Sequence, residues 1–121
     1  MRRSREWRDG EAELWIGGRG GPVVLEIAAS HRTRRRGLLG RDTVEGAILL
    51  APCSGIHTLG MRFTIDVAYL DQRLRVLDLH TLPPGRLGRP RLRARYALEA
   101  RGGAMAAWGI TRGALLRIEQ P

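Results

Sequence analysis

The stretch PCSGIHTLGMRFTIDVAYLD, residues 52–71, constrains the fold most, because it places polar side chains in the most apolar part of the chain. The segment IDVAYL, residues 65–70, predicts a strand and carries Asp66 among apolar residues. A carboxylate in that position must be solvated, hydrogen-bonded or paired, because burying a bare charge is prohibitive. Residues 53–60 contain serine, histidine and two glycines, which is typical of a loop. The stretch therefore predicts a loop that feeds a strand presenting Asp66.

Length and cysteine content limit the class of protein. The 121 residues predict one domain, 1–121, with a flexible arginine-rich N-terminus over residues 1–10. No run approaches the ~20 apolar residues of a membrane span, and the basic start leads into no apolar segment of a secretory signal. A single cysteine cannot form an internal disulfide, which is typical of a reducing compartment. These features predict a cytoplasmic protein without a membrane span.

The charge balance is strongly basic. The chain has 21 basic residues, all arginine, against 12 acidic ones, which gives a net charge of +9. Such an excess favours anionic partners, because phosphate-rich surfaces release counterions when cations bind. Aromatic residues make up only 5% of the chain, and no arginine–aromatic strip for stacking single-stranded bases is present. Arginine-mediated docking to nucleic acid or an acidic partner is therefore an alternative and not the preferred function.

Hydrophobic periodicity and turn residues predict a mainly β chain. Ser30 is a candidate helix N-cap and Gly109 a candidate helix C-terminal glycine. The predicted strands are 13–16, 23–28, 47–51, 64–70, 74–79, 96–100 and 114–119, and the predicted helices are 30–38 and 104–108. We expect an α+β fold that is predominantly β, with six to seven short strands in a curled, barrel-like antiparallel or mixed sheet and two short helices.

Arginines alternate with other residues at positions 91, 93 and 95. Alternation with period two predicts an extended segment with one charged face, which would protect a sheet edge from aggregation. A strip that grips phosphate groups is the alternative. The arginine run RTRRR at 32–36 is similarly interpreted as the solvated face of a helix, with an anion-binding face as the alternative.

Metal and thiol chemistry have weak support in the sequence. The three histidines lack the paired ligand clusters of a structural zinc site, so we expect no metal and no cofactor. Cys53 lies four residues before His57, but a catalytic thiol also needs a lowered pKa and a base within reach. A lone cysteine behind a proline is more typical of a small inert residue.

A polar pocket is the preferred site. Asp66 and Glu99 each lie inside a short apolar strand and need a partner, so we expect them to line a pocket with His57, Thr58 and Arg62. The structural alternative is that both carboxylates only hold loops through backbone N–H groups. The preferred function is a non-catalytic binding or accessory module for an unknown small ligand or protein. The alternative is an enzyme in which His57 works with Asp66 or Glu99 as an acid/base pair.

Five motifs occur in an order that resembles the uncharacterised bacterial and archaeal domain-of-unknown-function family 192. The resemblance covers about residues 28–119, and the motifs are RTRRRGLLGR, AILLAP, IDVAYLD with its turn and VLDL, YALEARGG and WGITRG. The resemblance implies a compact, mostly β domain with short helices and no established activity.

One departure from that family falls within the opening stretch. Where many relatives look like Phe-Trp-Met-Lys-Asn-Thr, residues 56–61 of this chain are Ile-His-Thr-Leu-Gly-Met. The chain therefore resembles a subgroup with a His-Thr…Met-Arg-Phe version, and any role of the Trp or Lys is not carried over. Relatives also tend to have an acid where this chain has Ala114.

Overall fold

The computed structural model describes residues 7–121 and has the predicted α+β, mainly β composition. The elements in chain order are β1 (Gly10–Trp15), β2 (Val23–Ala28), α1 (His31–Arg36), β3 (Ala47–Leu50), β4 (Ile65–Leu70), β5 (Val76–Leu82), β6 (Tyr96–Arg101), α2 (Ala104–Trp108) and β7 (Arg117–Glu119).

The strands form one mixed sheet with the order β5-β4-β6-β3-β2-β1-β7. The pair β2/β3 is parallel, and the other pairs are antiparallel. The sheet curls until its two ends approach each other. The amide of Val76 donates to the carbonyl of Ala114 at 2.8 Å, and the amide of Leu116 donates to the carbonyl of Leu74 at 3.0 Å. The predicted curled, barrel-like sheet is confirmed, in its mixed form.

The central strands β3, β4 and β6 are buried on both faces, which explains their nearly unbroken apolar sequences. Side chains alternate between the faces, so each central strand contributes to two hydrophobic clusters. The inner face, enclosed by the curl, carries Leu49, Ala68 and Leu98. The outer face carries Ile48 and Val67, with Ile56, Met61 and Leu38 packed over it.

The cover of the outer face is built from two loops. Residues 53–58 and 86–95 run beside each other and exchange backbone hydrogen bonds, including Thr58 N to Arg86 O at 2.7 Å and Cys53 N to Arg95 O at 2.8 Å. Gly88 lies at their closest approach. A Cβ there would lie 2.7 Å from the carbonyl oxygen of Ile56 and 2.9 Å from the hydroxyl of Tyr69, so only glycine fits.

Helix α1 begins as the sequence predicts. The hydroxyl of Ser30 accepts a hydrogen bond from the amide of Thr33 at 3.2 Å. A carboxylate oxygen of Asp9 accepts from the amides of Ala29 and Ser30 and from the hydroxyl of Thr33. These bonds hold the pKa of Asp9 well below its usual range. Within the segment 1–10, predicted to be flexible, residues 1–6 lie outside the described residues, whereas Asp9 is tied to α1.

The extended segment predicted over the alternating arginines is wrong. Residues 92–93 form a turn, in which the amide of Ala94 donates to the carbonyl of Arg91 at 3.0 Å, and β6 begins at Tyr96. Arg91 does not face water, because its guanidinium pairs with Asp78 at 3.0 Å and lies 4.6 Å from the ring centroid of Tyr69. An ion pair and a cation–π contact thus override the period-two pattern.

Within residues 7–121, no helix is long and apolar enough to cross a membrane.

Candidate ligand pocket

A pocket of about 510 Å³ opens on the outer face of the sheet. It lies between α1 with the residues that follow it, the loop 52–61, and the outer faces of β3 and β6. Its volume is within the usual range for small-molecule sites, about 300–1,000 Å³. We call it the Glu99 pocket, and its lining residues are His31, Arg34, Arg35, Arg36, Gly37, Leu38, Leu39, Leu50, Pro52, Cys53, Gly55, Ile56, His57, Met61 and Glu99.

The carboxyl group of Glu99 reaches the pocket from the middle of the sheet. Glu99 lies opposite Ile48 of β3 and Val67 of β4, so its side chain projects from the outer face with theirs. It is only 3% exposed, and its carboxyl group accepts no hydrogen bond from the described residues. Burial raises the pKa of Glu99 from its ordinary 4.5 to about 7.

Gly37 allows α1 to end directly beside this carboxyl group. The amide of Gly37 donates to the carbonyl of Thr33 at 2.9 Å, and the backbone then turns with a φ of +46°. That φ is in the left-handed region, which favours glycine. A Cβ at this position would lie 3.8 Å from Oε1 of Glu99. The absence of a side chain at Gly37 therefore leaves space in front of the carboxyl group.

Arginines from α1 form another side of the pocket. The Nη1 of Arg34 donates to the carbonyl of Pro52 at 3.2 Å, and its Nε is buried without a hydrogen-bond partner among the described residues. Arg35 and Arg36 are exposed and also line the pocket. The run interpreted as a solvated helix face is therefore divided, since Arg34 turns inward and Arg32 faces solvent.

Cys53 lies half-buried in the pocket wall, and its thiol donates to the carbonyl of Gly55 at 3.1 Å. Burial is the main cause that raises the pKa of Cys53; the charge of Glu99 also raises it, and the charge of Arg34 lowers it. A raised pKa keeps the thiol protonated and weakens it as a nucleophile. Cys53, Glu99 and Arg34 therefore line the same pocket.

Asp66 is on the other side of the sheet. It lies opposite Ala100, one residue away from the Glu99/Val67 pair, so its side chain projects from the inner face. Its Oδ1 accepts from the hydroxyl of Thr81 at 2.8 Å, and its Oδ2 accepts from the amides of Gly103 and Met105 at 2.9 and 3.2 Å. Asp66 thereby fixes the start of α2, as in the structural alternative.

The other three sequence-predicted residues also separate. Thr58 is fully buried, and its hydroxyl donates to the carbonyl of Pro83 at 2.7 Å and accepts from the amide of Arg86 at 2.8 Å. Arg62 forms an exposed ion pair with Asp42 at 3.2 Å. His57 is exposed and lines the pocket. Of the five candidates, the structure brings His57 and Glu99 to one pocket and places Thr58, Arg62 and Asp66 elsewhere.

Sequence reasoning missed Arg34 and Gly37 as pocket residues. Both lie in the run RTRRRG, residues 32–37, and the sequence does not indicate which of its four arginines turns inward. The glycine that follows the arginine run is a usable signal for the end of the helix, because helices commonly end at a glycine with a positive φ. Among residues 7–121, no three His, Cys, Asp or Glu side chains come together in a way that could hold a metal ion.

The fold and the pocket together define a class of protein: a small domain on a curled mixed sheet, with a pocket between its outer face and a loop-and-helix cover. The chain belongs to the family DUF192, described as "Uncharacterized ACR", whose model matches residues 13–118. It is 35% identical over 80 residues to UPF0127 protein PH1112 of Pyrococcus horikoshii, which is 62% of this chain and 70% of that protein. The family predicted from the five motifs is thus confirmed.

Two solved structures share the fold. A Sinorhizobium meliloti protein provisionally called a transcription regulator matches with a TM-score of 0.76 at 18% identity, over 93% of this chain and 95% of that one. A protein of unknown function from Novosphingobium aromaticivorans matches with a TM-score of 0.64 at 18% identity, over 88% and 83%. At this identity the likeness concerns the fold alone.

Proposed function

We propose that the chain is a non-catalytic binding module that takes a small organic ligand into the Glu99 pocket. The observation that carries this proposal is the buried carboxyl group of Glu99, which has no hydrogen-bond partner among the described residues and faces an open pocket. Buried polar groups are nearly always hydrogen-bonded, and one that is not marks a place where another molecule can supply the bond. A ligand would therefore complete the polar interactions that the fold leaves open.

The remaining lining supports a ligand site over a packing defect. Leu38, Leu39, Leu50, Ile56 and Met61 give the pocket an apolar wall, whereas Glu99 and the α1 arginines provide a few convergent polar groups. Binding sites for small molecules combine these two features.

The enzyme alternative has less support. His57 and Asp66 lie on opposite sides of the sheet, so they cannot act as an acid/base pair on one substrate. His57 and Glu99 share the pocket, but His57 is an exposed residue of its lining whereas Glu99 is buried. General acid–base catalysis requires both groups within hydrogen-bond reach of the reacting atoms.

We also propose a small molecule, rather than nucleic acid, as the main partner, with residues 1–121 acting as one domain in the cytoplasm. Part of the arginine excess serves the fold itself. Arg41 pairs with Glu26 at 2.9 Å, and Arg75 donates to the carbonyl of Gly113 at 2.8 Å. The single cysteine supports a reducing location. Binding to nucleic acid would weaken steeply with added salt, and such behaviour would contradict the choice of partner.

A fragment screen by amide NMR tests the binding proposal. We expect members of a library of small acids, amines and neutral compounds to shift the amides of Gly37, Cys53 and Ile56. The same fragments should slow the alkylation of Cys53, the single cysteine, because they cover its thiol. Leu39→Trp should abolish both effects by filling the pocket.

Leu59→Trp is the matched control, since Leu59 is 49% exposed and does not line the pocket. The binding proposal is wrong if no fragment shifts these amides. It is also wrong if both variants leave the fragment-induced shifts unchanged.

A further inference from the structure

The chemistry of the pocket selects among ligand classes. Three arginines of α1 line it, and among residues 7–121 Glu99 is the single carboxyl group in its lining. The electrostatic balance therefore favours an anion and opposes a cation. An apolar body is also required, because a leucine-rich wall faces the polar groups.

Two groups that line the pocket together with Cys53 have unused hydrogen-bonding capacity. Arg34 lines the pocket, and only Nη1 of its guanidinium forms a hydrogen bond among the described residues, to the carbonyl of Pro52. The carboxyl group of Glu99 has no hydrogen-bond partner among residues 7–121, and none of the ion pairs there joins it to Arg34. An oxyanion between them would accept from the guanidinium and from a protonated carboxyl group, and both bonds would be of the strong, charge-assisted kind.

We propose that the ligand is a small organic acid, with its oxyanion held between Arg34 and the carboxyl group of Glu99 and its apolar body against Leu38, Leu50 and Ile56. This inference rests on the proposed function, since it names the ligand class of the same pocket. The oxyanion is a carboxylate or a phosphate monoester.

The protonation of Glu99 then controls affinity. Protonated Glu99 donates to the oxyanion, whereas ionised Glu99 repels it, and the raised pKa of about 7 places the change near neutrality. Other groups that face Glu99 or line the pocket also carry or change charge. They are His31, Arg34, Arg35 and Arg36 from α1, Cys53 and His57 from the covering loop, and Tyr69 from β4. Glu99→Gln removes the one carboxyl group and leaves all of these in place.

Four ligands with the same hexyl or hexanoyl body separate the outcomes: hexanoate, hexyl phosphate, hexanol and hexylamine, each titrated by amide NMR. We expect the two acids to bind more tightly than the alcohol by about tenfold, and the amine to bind least. The acid with the higher affinity shows whether the head group is a carboxylate or a phosphate monoester. Hexanoate affinity should fall at least about fivefold between about pH 6 and about pH 8.5 in the native chain. In Glu99→Gln, it should fall by less than about twofold over the same range.

Arginine variants complete the test. Arg34→Gln should weaken acid binding by about tenfold or more. Because Arg34 also holds Pro52, Arg35→Gln serves as a second variant. Arg32→Gln is the control, since Arg32 is on the same helix but outside the pocket lining, and it should leave the affinity within about twofold. Tighter binding of hexanol or hexylamine would overturn the acid class while leaving the binding module intact. Failure of all four to bind would also overturn it, and the fragment screen alone decides the proposed function.

Discussion

Glu99 has lost most of its hydration by entering the sheet and has gained no hydrogen bond from the described residues in return. Asp66, the other strand carboxylate, has three donors around it. The two residues look alike in sequence, since each is an acid inside a short apolar strand. What separates them is the register of β4 against β6, because a shift of one residue moves a side chain to the other face.

The raised pKa of Glu99 makes stability depend on pH. Between pH 4.5 and about 7 the folded chain holds a proton that the unfolded chain has released, so stability is full below 4.5 and falls as pH rises through about 7. The expected loss is about 3 kcal/mol in the free energy of unfolding, since one pH unit is worth about 1.4 kcal/mol. Glu99→Gln should remove this loss.

Urea denaturation from about pH 4 to about pH 9 measures the difference between the two chains. Glu45→Gln, at an exposed position, is the control and should follow the native chain. Parallel curves for the native chain and Glu99→Gln would mean that Glu99 ionises as an ordinary carboxylate.

Asp66 is expected to matter for stability and not for the pocket. Asp66→Ala removes the acceptors of three hydrogen bonds and should lower the free energy of unfolding by about 3 kcal/mol. Asp66→Asn should cost only about 1 kcal/mol, because its amide oxygen can accept from the backbone and its amide nitrogen can donate to Thr81. Both variants should bind fragments like the native chain, and a selective loss of binding would assign Asp66 to the ligand site.

At the scale of elements, the connection into β3 is held by a close backbone contact. Gly46 has a φ of +65°, and a Cβ there would overlap the carbonyl oxygen of Val24 on β2. Gly40 has a similar φ of +79° with open space around it. The two glycines therefore separate the effect of the clash from the effect of the backbone conformation.

Gly40→Ala should cost about 1 kcal/mol of stability, which is the strain of a left-handed backbone alone. Gly46→Ala should cost about 3 kcal/mol more, because β2 and β3 must move apart. Chemical denaturation of both variants gives the comparison. Equal losses would indicate that β2 and β3 have room at this point.

Across the whole molecule, local structure was predictable and long-range arrangement was not. Strands β1, β2 and β4, the Ser30 cap and α2 follow from periodicity and turn residues within a few positions. The parallel pairing of β2 with β3 and the insertion of β6 between β3 and β4 join residues far apart in sequence. No local pattern encodes such pairings, so the pocket could be expected only in part, through Glu99 and His57.

The sheet order predicts where the fold is most stable. Strands β3, β4 and β6 are central and covered on both faces, whereas β1 has an exposed face. Hydrogen exchange should therefore be slowest for the amides of β4 and β6, which open only with global unfolding. Slower exchange in the β1/β2 hairpin would place the stable core at the other end of the sheet.

The most direct test of the ligand pocket is a titration of the Glu99 carboxyl carbon by NMR, in the free chain and with saturating hexanoate. The free carboxyl group should titrate with a pKa of about 7, and hexanoate should raise that pKa further, because the bound oxyanion favours the protonated form. A pKa near 4.5 in the free chain, or one that hexanoate leaves unchanged, would contradict a buried Glu99 that binds the ligand.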